Sequence, residues 1–147
     1  MSLNLDRIAQ DKAREMLEDV NSRPHVETLE RLITKSLGVL QEHGVYALVL
    51  FLFSRTSKEK EVAPFTRKAL YRALLETPNF RNNNNHNQRL SSFINDNTNP
   101  IEVMQWFSDN ISADLNTLLL VRDLFEQLLI YARYHAKAKA QEDGGGN

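Results

Sequence analysis

The C-terminal part of the sequence contains a stretch, from Ala113 to Lys139, that has neither glycine nor proline. We predict that it forms one unbroken helix, with Ser112 as its N-cap and Asp114 in its first turn. At a rise of about 1.5 Å per residue, this helix would be roughly 40 Å long. Its apolar residues recur on one broad face: Leu118, Val121, Leu124, Phe125, Leu128, Leu129 and Ala132. Such a face must be covered, so the other segments should pack around this helix.

The N-terminal half of the chain shows three further helical segments. The first carries an apolar face at helical spacing, formed by Leu5, Ala9, Ala13, Met16, Leu17 and Val20. The second begins near Pro24, which a first helical turn tolerates, and ends at Gly44. Val45 to Phe53 is apolar on every side, so its pattern fits a buried helix or a buried strand. We predict a helix, because a single strand would have no partner for its backbone groups.

The middle of the chain is interrupted by polar and Asn-rich segments. Residues 55–60 are predicted to be a polar connector, after which Pro64 opens a helix that runs to about Glu76. Pro78 ends this helix. Residues 79–88 (NFRNNNNHNQ) are a low-complexity segment, and we predict a mobile Asn-rich loop there.

Two short helices should precede the long one. Residues 89–96 are expected to form the first, and Asn99-Pro100 provides a cap followed by proline at the first position of the second. The core candidates of that second helix are Ile101, Met104, Trp106 and Phe107.

Together these segments predict an all-α fold, a single-domain helical bundle of six to seven helices with a long C-terminal helix. Residues 1–140 would form the bundle, and residues 141–147 a disordered tail. We expect Phe51, Phe125 and Leu128 to lie deep in the core.

Composition excludes several classes of protein. The chain has no cysteine, so disulfides, thiolate nucleophiles and cysteine-based metal sites are all absent. Its N-terminus lacks the basic and apolar segments of a signal peptide. The longest apolar run, Val45 to Phe53, is far shorter than the roughly 20 residues that a membrane-spanning helix needs. We therefore expect a cytoplasmic protein that has no membrane partner.

The net charge of −1 conceals an uneven distribution of charged residues. Residues 55–89 contain eight Lys/Arg and three Glu, whereas residues 90–121 contain four acidic residues and no Lys or Arg. A basic middle and an acidic flank can attract a polyanion to one surface and a basic protein to another.

The first candidate functional surface is the outward face of the predicted helix that starts at Pro64. It carries Arg67, Lys68, Tyr71 and Arg72, with other basic residues nearby in sequence. Cations bind phosphates, and an aromatic ring among them can stack on an unpaired base. The pattern is equally typical of a solvated helix face.

The second candidate surface is a stripe on the long C-terminal helix, opposite its apolar face. Arg122, Glu126, Arg133 and Lys137 fall on this stripe, because eleven residues are close to three helical turns. Arg122, Arg133 and Lys137 are candidate RNA-binding residues. The alternative is an Arg122–Glu126 pair on a solvated face, which the residues alone favour.

No motif in the sequence indicates catalysis. There is no G-x-S-x-G motif, no nucleotide-binding glycine motif and no zinc-binding spacing among the four histidines: His25, His43, His86 and His135. No Glu is followed by His three residues later, which a di-iron helical bundle would require. We therefore expect a protein that is not an enzyme and has neither a metal nor another cofactor.

Four segments of the chain, taken in order, are similar to the small helical subunit of the Cmr-type, or type III-B, CRISPR effector complex. Residues 9–20 (AQDKAREMLEDV) resemble the first helix of that family, and residues 43–55 (HGVYALVLFLFSR) resemble its Asn-Gly-Leu start to a very apolar helix. His43 stands where Asn is usual. Residues 101–107 (IEVMQWF) resemble its aromatic helix, and residues 121–138 its closing pattern, with Arg122 and Arg133 at the matching places.

The resemblance implies a non-catalytic subunit that stacks into the minor filament of an RNA-guided antiviral complex. Its expected partners are the backbone and large subunits, further copies of itself, and the duplex of guide RNA and target RNA. Because guide pairing reads the target sequence, the protein would contact phosphate and sugar rather than bases. Two other classes remain open: a helical protein–protein interaction adaptor that has no nucleic-acid role, and a helical enzyme whose site is assembled from distant residues.

Overall fold

The structure, a computed structural model, describes residues 4–20, 22–95 and 99–144. Within these ranges the chain is helical, with eight α-helices, one π-helical turn and no strand. The helices are α1 (Leu5–Asp19), α2 (Arg23–His43), α3 (Val45–Phe53), α4 (Ser57–Glu76), α5 (Pro78–Arg81), α6 (Asn84–Asn95), α7 (Pro100–Phe107) and α8 (Leu115–Gly144), and the π-helical turn is Ser108–Ser112. The predicted all-α bundle with a long C-terminal helix is confirmed, with one or two more short helices than expected.

The long helix α8 lies against α1 and α2, and polar contacts define its direction relative to α1. Near the start of α1, the Tyr131 hydroxyl donates to the Asp6 carboxylate at 2.5 Å. At the other end, Lys139 Nζ donates to the carbonyl oxygens of Leu17 and Val20 at 2.9 and 2.7 Å. The two helices are therefore parallel. Lys139 thus gives a charged donor to two carbonyls at the C-terminus of α1, where the Leu17 carbonyl also accepts from the Val20 N–H at 3.3 Å.

The second neighbour, α2, runs antiparallel to α8. Lys137 on α8 pairs with Glu30 early in α2 at 3.5 Å, and Arg122 donates to the carbonyl oxygen of Gln41 near its end at 3.1 Å. Gly44 has φ of 93° and ψ of −171°, a conformation that is nearly restricted to glycine, and it lets α2 stop before α3 begins. The predicted boundary at this glycine is confirmed.

The core is one continuous apolar cluster, and α8 supplies its centre. Phe125 and Leu128 are fully buried, as predicted. Phe51 is only partly buried, so its prediction as deep core was wrong: the Arg55 guanidinium covers its ring, 3.7 Å from the centroid. Ile101, another predicted core residue, is 76% exposed because it lies in the first turn of α7, away from the core.

Helix α4 begins at Ser57, earlier than the predicted start at Pro64. Residues 57–60 are therefore helical and not part of a connector. The first turn is stabilised by Glu59, which accepts hydrogen bonds from Lys35 at 2.8 Å and from Arg55 at 3.3 Å. The hydrogen bond from Lys35 is the main reason why the pKa of Glu59 is lowered. Pro64 therefore lies inside α4, where it cannot donate the backbone hydrogen bond of its turn.

The Asn-rich segment is helical, so the predicted loop at residues 79–88 was wrong. Helices α5 and α6 cover most of it, and the side chain of Asn83 caps α6 by accepting from the backbone N–H groups of Asn85 and His86 at 3.0 and 3.1 Å. The His86 ring lies against Phe80 and Trp106, with centroid distances of 5.5 and 5.7 Å. A cap and tertiary packing thus outweigh the low helix propensity of asparagine.

The ends of the long helix also differ from the prediction. Ser112 is not its N-cap but the last residue of the π-helical turn, and Asp114 takes that role by accepting from Thr117 N at 3.0 Å and Thr117 Oγ1 at 2.6 Å. These bonds lower the pKa of Asp114. Helix α8 continues to Gly144, so residues 141–144 are not a disordered tail, and residues 145–147 lie outside the described residues. Asp96, the predicted end of the short helix before α7, also lies outside them.

Replacing Phe125 by alanine should lower the free energy of unfolding by about 3 to 5 kcal/mol, because it leaves a cavity at the centre of the core. Phe51→Ala is the matched control and should cost clearly less, since that ring is already partly exposed. Denaturant unfolding of both variants measures the difference. Equal losses would contradict the placement of the two rings.

Replacing Lys139 by methionine should lower the free energy of unfolding by about 1.5 to 3 kcal/mol, because two carbonyls at the end of α1 lose a charged donor. Methionine retains the apolar stem of the side chain. Lys137→Met removes only the surface pair with Glu30 and should cost under about 1 kcal/mol. Thermal or denaturant unfolding of the two variants should therefore rank Lys139 above Lys137.

Candidate nucleic-acid interface

The aromatic member of the first candidate surface is buried. Tyr71 is 3% exposed, and its ring packs against Phe93 and Phe107, with centroid distances of 5.9 and 6.2 Å. The prediction that Tyr71 points outward and stacks on a base was therefore wrong. Helix α6 packs against this side of α4, and Phe107 at the end of α7 contacts the Tyr71 ring.

Arg67 is half-buried and serves the fold. It donates from Nη1 to the carbonyl oxygen of Leu52 at 3.2 Å, and its guanidinium lies over the Phe53 ring at 4.4 Å. Burial lowers the pKa of Arg67, although a guanidinium remains charged at neutral pH. The side chain closes the end of α3, where a carbonyl would otherwise lack a partner. It is therefore not free to bind a phosphate.

Lys68 and Arg72 remain at the surface of α4, one helical turn apart. Lys68 is exposed and has no hydrogen-bond or ion-pair partner among the described residues. Arg72 is partly exposed and pairs with Asp19 of α1 at 3.3 Å. Surface pairs of this kind contribute up to about 1 kcal/mol, so an incoming phosphate can compete for the guanidinium.

The earlier start of α4 adds Lys60 to this surface. Lys60 is exposed and lies about two helical turns before Lys68, roughly 80° from it around the helix axis. We call Lys60, Lys68 and Arg72 the α4 basic face. The sequence pattern predicted that Lys60 lies in a connector. Glu59, an acidic residue in the first turn of α4, was the signal that could have predicted the earlier helix start.

The second candidate surface, on α8, is largely engaged with α2. Arg122 donates to the Gln41 carbonyl, and Glu126 accepts from Gln41 Nε2 at 3.4 Å. The alternative Arg122–Glu126 pair does not form, because both side chains bind Gln41 instead. Lys137 is held by Glu30 at 3.5 Å. Arg122 and Lys137 therefore join the two helices.

Arg133 differs from its neighbours on the stripe. It is half-buried, its Nε is shielded from solvent without a hydrogen-bond partner, and its guanidinium has no ion-pair partner among the described residues. It lines a groove of 420 Å³ between α2 and α8. The other lining residues are Thr34, Leu37, Gly38, Gln41, Ile130 and Tyr134. We call this space the α2/α8 groove.

The structure does not join the two candidate surfaces into one site. The ion pair of Arg72 runs to α1, whereas the contacts of Arg122 and Lys137 run to α2. Over the described ranges, no three histidine or acidic side chains come together in a way that could hold a metal ion. None of the helices in the described part of the chain combines the length and apolarity needed to cross a membrane.

Comparisons of the chain with protein-family models, with curated proteins and with solved structures return no match. The resemblance to the Cmr-type subunit therefore stays a prediction.

Replacing Tyr71 by phenylalanine tests whether its hydroxyl serves the fold or a ligand. The hydroxyl is buried and makes no hydrogen bond of standard geometry, so removing it should leave the free energy of unfolding at pH 7 unchanged or slightly higher. Denaturant unfolding measures this change. A loss above about 1 kcal/mol would reveal a polar partner for the hydroxyl in the folded chain.

The same variant should respond differently to alkaline pH. Burial raises the pKa of the Tyr71 hydroxyl, and the charge of Arg67 opposes this only in part. Above about pH 10 the unfolded chain loses this proton while the folded chain keeps it, so stability falls as pH rises. Tyr71→Phe should lose less stability than the natural chain between about pH 9 and 11, as measured by unfolding curves at each pH.

Proposed function

We propose that this chain is a non-catalytic subunit of a Cmr-type, or type III-B, CRISPR effector complex that supports assembly and target-RNA binding in antiviral defence. The sequence resemblance, which touches four segments in order, and the all-α fold with a long C-terminal helix support the proposal. Its partners would be the backbone and large subunits, stacked copies of itself in the minor filament, and the duplex of guide and target RNA. It would act in the cytoplasm, without a cofactor.

The observation that carries the RNA role is the α4 basic face. Lys60 and Lys68 are exposed cations, and Arg72 can exchange its pair with Asp19 for a phosphate. Lys68 and Arg72 are about 6 Å apart along the helix axis, so they can contact neighbouring groups of one nucleic-acid backbone. Such contacts supply affinity and register without reading bases, which is the task of the guide.

A helical adaptor without a nucleic-acid role is the second candidate. It is favoured by the use of Arg67, Arg122 and Lys137 in contacts within the chain, which leaves fewer cations for RNA. Exposed apolar side chains on α8, among them Leu115 at 67% and Leu119 at 49%, also suit a protein partner.

Purification of the tagged chain from its native host separates the two candidates. If the proposal holds, the backbone and large subunits and short RNA should accompany the chain in fixed ratios. RNA should also leave the complex as the salt concentration rises. Recovery with one protein and no RNA, unaffected by salt, would favour the adaptor instead.

Neutralising Lys68 and Arg72 together to glutamine should weaken binding of target RNA by the assembled complex. If both side chains bind phosphates, the slope of log affinity against log salt should fall by roughly 0.7 to 0.9 for each phosphate that is no longer neutralised. Discrimination between matched and mismatched targets should not change. Filter binding at several salt concentrations provides the measurement.

The matched control is the double neutralisation of Arg7 and Arg14 to glutamine. These are also two cations at the surface of one helix, and both pair with Asp11 on α1, at 3.5 and 3.6 Å, as Arg72 pairs with Asp19. It changes the net charge equally, so a general electrostatic effect would weaken binding in both variants. Equal RNA binding by both variants and the natural chain would contradict the proposed role of the α4 basic face.

A further inference from the structure

Gly38 lies at the bottom of the α2/α8 groove and leaves space there, because it has no side chain. This glycine lies inside α2, where alanine would be about 1 kcal/mol more favourable. A Cβ built at Gly38 would have no atom within 4 Å, so nothing in the folded chain requires a glycine there. Glycine in a helix otherwise permits close approach of another group to the backbone. Since no described part of this chain makes that approach, the space suits an outside partner.

The walls of the groove are of mixed polarity, and three residues provide their apolar part. Ile130 is 36% and Tyr134 67% exposed on α8, and Leu37 lies on the α2 side. An aliphatic side chain placed over Gly38 would bury these surfaces, at roughly 25 cal/mol for each Å² of apolar area. The groove therefore suits a leucine-like side chain at its floor.

The charge in the groove comes from Arg133. Its guanidinium lacks an acceptor in the described part of the chain. Its Nε is shielded from solvent, so the two terminal nitrogens are the atoms that a ligand in the groove can reach. A carboxylate can bind the two terminal nitrogens of a guanidinium at once, which makes such pairs strong and directional. Arg133 thus selects a carboxylate in addition to the aliphatic group.

The surrounding charges argue against a nucleic-acid backbone at this place. The neighbouring cations Arg122 and Lys137 are held by Gln41 and Glu30, and the carboxylates of Glu30 and Glu126 flank the same helix pair. A strand of phosphates that reached Arg133 would also pass these carboxylates on the same pair of helices. A single carboxylate carries less charge than a strand of phosphates, so these acidic residues repel it less.

We propose that the α2/α8 groove docks a segment of a partner protein that presents an aliphatic side chain to Gly38 and a carboxylate to Arg133. This surface is separate from the α4 basic face and does not depend on the proposed RNA role. An acidic amphipathic helix of the partner would meet both requirements, because it can place an aliphatic residue and an Asp or Glu one turn apart on the same face.

A small probe tests the groove itself. 4-Methylpentanoate combines a leucine-like tail with a carboxylate, and 4-methylpentanamide is its neutral counterpart. In nuclear magnetic resonance titrations of the full chain, the carboxylate should shift the Gly38 amide and the Arg133 Nε–H signals with saturation. The amide should bind roughly tenfold more weakly or worse. Equal shifts from both compounds, or none from either, would overturn the selection of a carboxylate.

Three variants identify the residues responsible. Arg133→Gln should abolish the preference for the carboxylate, whereas Arg122→Gln, on the same helix but bound to Gln41, should leave it unchanged. Gly38→Leu should fill the open space, fold normally by circular dichroism and lose binding of both probes. A normally folded Gly38→Leu variant that binds as well as the natural chain would overturn the site.

The natural occupant can be identified by cross-linking, because the chain has no cysteine of its own. Thr34→Cys, at the exposed edge of the groove, can carry a thiol-linked photoreactive group in the chain purified from its host. A cross-linked protein segment that carries Asp or Glu near an aliphatic residue, and that no longer forms with Arg133→Gln, supports the proposal. Cross-linking to RNA, or to no macromolecule, would overturn it, whatever the result for RNA binding at the α4 basic face.

Discussion

The structure depends on the way α8 satisfies both the apolar faces and the polar ends of its neighbours. Its buried face, centred on Phe125 and Leu128, covers α1 and α2 at once. The same helix sends Lys139 to the last carbonyls of α1 and Arg122 to a carbonyl near the end of α2. A buried helix end without such donors would leave carbonyl groups unpaired. One long helix therefore supplies both the hydrophobic cover and the caps that fix the order of the bundle.

Contacts within the bundle decide which basic residues are available to bind a ligand. A cation bound to a backbone carbonyl, as in Arg67 and Arg122, contributes to the fold and can bind a ligand only by leaving that carbonyl. Lys68 faces no such competition, and Arg72 faces only a surface carboxylate. Exposure and existing partners, more than charge alone, separate the α4 basic face from the structural cations. By the same criterion Arg133 is exceptional on α8, because its guanidinium lines the α2/α8 groove and has no carboxylate partner among the described residues.

The aromatic cluster between α4 and α7 explains how the Asn-rich segment acquires structure. Trp106 contacts Phe80, His86, Phe93 and Phe107, with ring centroids 5.3 to 6.0 Å away. Edge-to-face contacts at such distances stabilise aromatic pairs beyond the area they bury. The cluster therefore holds α5 and α6 against the bundle although their own sequences favour helix weakly. Tyr71 belongs to the same apolar region, which is why it is withdrawn from the surface.

The sequence by itself determined the features that depend on local periodicity and local backbone chemistry. These include the all-α class, the long uninterrupted C-terminal helix, the stop at Gly44 and the burial of Phe125. A helical period places like residues on one face, and glycine readily adopts a positive φ. Burial of a residue at the edge of a helix's apolar face is different, because it depends on which other helix packs against that edge. Only the tertiary structure decided that Tyr71 is buried, that Ile101 is exposed and that Arg133 lines a groove. It also decided that residues 79–88 are helical, because the contacts with Trp106 come from a segment that lies outside that stretch.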